Sequence, residues 1–147
     1  MLKDAMGGYR GTAREISRII LEHPDNADAY CNRANARSCS GDYAGAIEDY
    51  TRALTIGLRF REAITAYGNR GIARINVGDR YGALEDFSEI IKRKPGNRGL
   101  LYAAYNSRAS VKEQIGDKKG AAEDKIQASM LAPNNNNERG ERNKSNA

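Results

Sequence analysis

Tryptophan is absent from this 147-residue chain, and phenylalanine occurs only twice. A compact globule built around one deep core usually carries more large apolar side chains. A stack of layers, each touching only its neighbours, tolerates the shortage better. Histidine occurs once, as His23, and cysteine twice, as Cys31 and Cys39. On a single helix those two thiols would stand roughly 12 Å apart, at about 1.5 Å of rise per residue, which is too far for a disulfide. With no Cys-x-x-Cys pair and no Cys/His cluster, neither a metal nor a cofactor is expected. No apolar run reaches the length of a membrane span, and Met1 to Gly11 lacks the apolar core of a signal peptide. The expectation is therefore a reduced, cytoplasmic protein with no membrane contact.

Catalytic signatures are missing as well. There is no Gly-x-x-x-x-Gly-Lys loop and no Gly-x-Ser-x-Gly elbow. The adjacent Glu-Asp pairs fall on helical segments, where neighbouring side chains point about 100° apart and cannot face one another as acid and base. The chain does not read as an enzyme. Its net charge of +5 comes from 24 basic and 19 acidic residues mixed along the whole length. No Lys/Arg run forms a polybasic patch, which speaks against nucleic acid as the partner.

What the chain does have is a pattern written three times. Tyr30, Arg33, Gly41, Asp42, Ala46, Glu48, Asp49 and Tyr50 return as Tyr67, Arg70, Gly78, Asp79, Ala83, Glu85, Asp86 and Phe87. They return again as Tyr105, Arg108, Gly116, Asp117, Ala121, Glu123 and Asp124, with Lys125 at the aromatic position. The Gly-Asp pairs lie 37 and then 38 residues apart, a period that marks small units unable to bury their apolar faces alone. Each unit splits at its Gly-Asp pair, with glycine a natural helix stop and aspartate an N-cap. Apolar residues at i, i+3, i+4 and i+7 spacing, such as Tyr43, Ala46, Ile47 and Tyr50, predict amphipathic helices. Helices are expected over 27–40, 43–56, 61–77, 80–94, 98–115 and 119–131, with no strand signals. The fold class is all-α, an α-solenoid of stacked helix-turn-helix units at about 27–60, 61–97 and 98–133.

Upstream, Gly7-Gly8-Tyr9 lies 34 residues before Gly41-Asp42-Tyr43. Residues 1–24 thus read as a partial unit, the second helix only, with the first missing or reduced to Met1–Met6. An array that begins in mid-unit leaves room for an upstream segment. Residues 134–147 are polar and without apolar periodicity, and are expected to be disordered.

The order of Tyr, Gly-Asp, Ala, Glu-Asp and an aromatic resembles the tetratricopeptide repeat, in a form common in bacterial members. The resemblance covers about Gly7 to Pro133. It implies a protein-interaction module whose first helices line a concave groove for a peptide or a partner's helix. Carried over by position, Asn32, Asn35, Cys39, Asn69, Ile72, Asn76, Ser107, Ser110 and Gln114 are the candidate groove residues, a polar and nearly uncharged lining. Some members clamp a chaperone's C-terminal carboxylate with two Asn and several cations. Asn35 and Asn69 match the Asn positions, but Cys31, Ala103 and Ser107 stand where the cations belong, so that clamp is rejected. The spacing exceeds the family's 34 residues, which predicts first helices about one turn longer in the second and third units. Lys125 makes the third layer the least securely packed.

Two further sets repeat in register. Arg33, Arg70 and Arg108 are followed four residues later, on the same helix face, by Arg37, Arg74 and Lys112. Asp49, Asp86 and Asp124 recur on the partner helices. Repetition in every layer favours a structural ion-pair ladder over a basic ladder for an acidic partner. The expected partner is another protein or peptide. A self-associating fragment that forms a homo-oligomer is the first alternative, and a basic nucleic-acid binder the second.

Overall fold

The computed structural model describes residues 2–132, with side chains from residue 8; the expected disorder over 134–147 lies outside the described residues. Seven α-helices and no strand make up the described part. They are α1 (Leu2–Glu22), α2 (Ala27–Cys39), α3 (Tyr43–Ile56), α4 (Phe60–Asn76), α5 (Arg80–Arg93), α6 (Arg98–Gln114) and α7 (Lys118–Leu131). Each packs mainly on the helices next to it in sequence, and α2 also touches α4. The result is an all-α solenoid whose first helices α2, α4 and α6 lie side by side.

The Gly-Asp corner explains why each helix pair turns where it does. The Asp42 N–H donates to the Arg37 carbonyl at 2.9 Å and the Gly41 N–H to the Ser38 carbonyl at 3.1 Å. This closes the last turn of α2 in the way a left-handed residue allows, and Gly41 supplies it at φ +85°. Asp42 then caps α3, its carboxylate accepting from the Gly45 N–H at 3.0 Å. Asp79 and Asp117 do the same for α5 and α7, both at 2.9 Å. One residue ends a helix and the next begins another.

The equivalent upstream position forms no corner. The Gly7–Gly8 pair parts no helices: α1 runs unbroken through it, and Gly8 has no positive φ. Gly8 stands where Asp42, Asp79 and Asp117 stand in the other units, and it has no side chain to cap a new helix.

Alanine dominates the core. Ala34, Ala46, Tyr50 and Ala66 form one cluster, and Ile64, Ala83, Phe87, Ile90, Ala104 and Val111 form another. Small side chains let the helices approach closely, so a core can be closed with few aromatics. Gly71 marks a close approach, since a Cβ there would sit 3.0 Å from the Phe87 ring. Both α4 and α6 have 17 residues against 13 in α2, the extra turn that the 37- and 38-residue spacing predicts.

Candidate functional site

Two arrangements of polar side chains stand out, one inside the layers and one on the face of the first helices. Within each layer, one aspartate receives two cations. Arg33 grips Asp49 with two N–H groups at 2.7 and 2.8 Å, and Arg37 adds a third contact at 2.9 Å. Arg70 and Arg74 meet Asp86 at 2.6 and 3.0 Å, and Arg108 and Lys112 meet Asp124 at 2.7 and 2.9 Å. The aspartates are buried, Asp86 to 1% exposure. Such paired, charge-assisted contacts offset the cost of taking the carboxylate out of water. Arg37, Arg74 and Lys112 also reach the carbonyls of Gly45, Gly82 and Gly120, tying the network to the corner beside it. The hydrogen bonds to Asp49 and Asp124 raise the already high pKa values of Arg33 and Arg108. Burial works against the Asp124 carboxylate, but its bonds from Arg108 and Lys112 together outweigh it and hold the group below its ordinary value.

A second set of contacts was not anticipated. Each of these arginines also reaches back to the preceding layer. Arg33 Nη1 donates to Ser17 Oγ at 3.0 Å, Arg70 Nη1 to Thr51 Oγ1 at 3.0 Å, and Arg108 Nη1 to Ser88 Oγ at 3.1 Å. The signal is an Asp-x-Ser/Thr pattern, obscured because Glu15 replaces the aspartate in α1 and Ile126 the hydroxyl in α7.

On the face of the first helices, a cavity of about 440 Å³ opens between α2 and α4. Of the candidate groove residues, Asn32, Asn35 and Asn69 line it. Asn69 Nδ2 donates to Asn35 Oδ1 at 3.3 Å, and the Tyr50 hydroxyl, on the cavity floor, donates to the same oxygen. Burial pushes the Tyr50 phenol up, so it stays a donor. Asn69, Ile72 and Ser107 line a smaller cavity between α4 and α6. The structure does not bring the others into either space. Asn76 bonds its own helix at the Ile72 carbonyl, and Gln114 accepts from Arg80 at the start of α5. Cys39 and Ser110 are exposed outside both cavities.

The lining is also more charged than expected. Arg61 and Glu62, in the first turn of α4, face Asp28 of α2 across the larger cavity. They belong to the extra turn of α4, where alignment on the repeat has no counterpart. Burial, and then the carboxylates of Asp28, Asp49 and Glu62, push the Cys31 thiol up to about 11. No group of His, Cys, Asp and Glu side chains able to hold a metal occurs among the described residues.

Comparison with known proteins agrees with this geometry. The family model for the tetratricopeptide repeat matches residues 27–56. Residues 27–56 carry a tetratricopeptide repeat. Over 56 residues, 37% of its length, it is 46% identical to tetratricopeptide repeat protein 36 of Mus musculus. Over 53 residues it is 47% and 45% identical to the proteins of that name in Bos taurus and Homo sapiens. The chain spans only 28–30% of the length of these relatives. Among solved structures it resembles MamA, with a TM-score of 0.72 at 21% identity over 81% of this chain and 66% of that one. It also resembles BtubC from P. vanneervenii, with a TM-score of 0.62 at 19% identity over 89% and 57%. Both likenesses are of fold. Tetratricopeptide repeats generally mediate protein–protein interaction and are typically non-catalytic scaffolds. Among the described residues no helix is long and apolar enough to cross a membrane.

Proposed function

We propose that this array binds an extended segment of a partner protein along the face of α2, α4 and α6, and performs no chemistry of its own. The observation that carries the reading is the Asn35–Asn69 contact across two layers. Asn35 Oδ1 is taken by Asn69 and Tyr50. The Asn35 Nδ2 donor and the Asn69 Oδ1 acceptor make no hydrogen bond among the described residues, and both residues line the cavity. An adjacent donor and acceptor match the C=O and N–H that a peptide main chain presents. The repeated cations are occupied with aspartates, which supports a structural role for the Arg33–Asp49, Arg70–Asp86 and Arg108–Asp124 ladder and weighs against a basic row for nucleic acid. Affinity capture followed by mass spectrometry, comparing the native chain with Asn35→Ala and Asn69→Ala, tests the proposal. Partners lost from both variants, with thermal melting unchanged in at least one, support it. Partners retained by both variants remove the groove assignment.

Self-association is the second reading. Exposed Ile19 and Leu21 on α1, and Ile126 and Met130 on α7, favour it. A mass that rises with concentration in sedimentation velocity would support it, and a constant monomer mass removes it.

A further inference from the structure

The cavity between α2 and α4 continues over α4 into the smaller one between α4 and α6, with Thr65 and Asn69 on the shared ridge. The two halves differ in chemistry. The smaller one, of about 200 Å³, is walled by Ile64, Phe87 and Ile90. At its rim Ile72 and Leu100 remain 53% and 43% exposed. Gly68 and Ala103 present little bulk at the mouth, which leaves a socket for one large aliphatic side chain. Residues 133–147 contain no large apolar side chain, so that segment does not supply the occupant. The larger cavity sets Asp28 and Glu62 against Arg61, an excess of carboxylate in a chain of net charge +5. Glu62 pairs with Arg59 at 3.2 Å, while Asp28 has no ion-pair partner among the described residues. A cationic side chain is the complement of that cavity.

Resting on the peptide-groove reading, we infer that the occupant is a partner segment with one basic and one aliphatic anchor. A lysine or arginine enters the α2–α4 cavity beside Asp28, and a leucine, isoleucine or methionine fills the α4–α6 socket. Both cavities share Thr65 and Asn69 on α4, so the two anchors belong to one short stretch of the segment.

Selection of phage-displayed random dodecapeptides on the full chain tests this. The native chain is expected to enrich peptides with a basic and an aliphatic position at fixed spacing. Asp28→Asn should reduce the basic preference by up to about fivefold and leave the aliphatic one. Ala103→Phe, which fills the socket from its exposed edge, should reduce the aliphatic preference by about tenfold or more and leave the basic one. Helical circular dichroism confirms that both variants are folded; Thr65→Lys and Gly68→Leu serve as the second pair if either is not. Enriched peptides without these anchors, or with preferences that ignore the substitutions, overturn the inference and leave the groove reading standing. If the folded native chain enriches no peptide above bare support, both fall together.

Discussion

The α4–α5 and α6–α7 pairs share one polar network but differ in what they show to the next layer. Asp86 and Asp124 each hold two cations at nearly the same distances. At the position after the aspartate, however, Phe87 is buried whereas Lys125 is 56% exposed and pairs with Glu113. One residue further, Ser88 receives Arg108 of the following layer, and Ile126 receives nothing among the described residues. In the first unit Tyr50 packs with Ala66 of α4, as Phe87 packs with Ala104 and Val111 of α6. The contrast separates two jobs. The Arg–Asp network holds a helix pair together, while the aromatic and the hydroxyl beside it join that pair to its successor. No helix packs on the far side of α7 among the described residues, and there both joining residues are replaced while the network stays.

The division of labour can be broken by substitution. If the network is a within-layer device, Asp86→Ala and Asp124→Ala should destabilise alike, by about 3–5 kcal/mol, because each leaves two cations facing a lost carboxylate in a dry setting. Urea denaturation measures this, and a much smaller loss at Asp124 would show that the two networks are not equivalent. The joining residues should behave oppositely. Phe87→Ala is expected to cost about 3–5 kcal/mol and Lys125→Ala no more than about 0.5 kcal/mol in the same assay; similar losses would contradict the contrast. The smallest effect is on acid stability. The folded pKa of Asp124 is depressed, so its contribution is fully present above the unfolded value of about 3.9 and is lost as pH falls through the folded value. Melting temperature measured from pH 6 down to about 2 should decline less steeply below pH 4 in Asp124→Asn than in the native chain. Equal slopes would remove Asp124 from the acid response.

Much of this was legible in the sequence, for a physical reason. The Arg33, Asp49 and Gly41-Asp42 positions admit one residue type each, since a buried bidentate pair or a left-handed corner has few chemical solutions. They therefore repeat visibly. The joining hydroxyls were hidden because serine and threonine serve equally well, and because Glu15 and Ile126 interrupt the pattern at the two outer helices. The charges at the groove were hidden for another reason. Arg61 and Glu62 lie in a turn that α4 has and α2 lacks, so no register aligns them. The unbroken α1 shows the converse: Gly7-Gly8 shares the 34-residue spacing, but without an aspartate at residue 8 no corner forms.

The corner itself governs how the array can vary. All three are three residues long, at 40–42, 77–79 and 115–117, and each is pinned by a helix stop, a helix start and the cation network at once. Nothing can be inserted there without undoing all three. Length can change only on the opposite edge, at the connections over 57–59 and 94–97 and in the first turns of α4 and α6 that follow them. The solenoid is thus stitched rigidly along one margin and left adjustable along the other, and the adjustable margin delivers Arg61 and Glu62 to the groove. On the proposed groove reading, a change of partner would be written in that margin while the stitched one is left as it is.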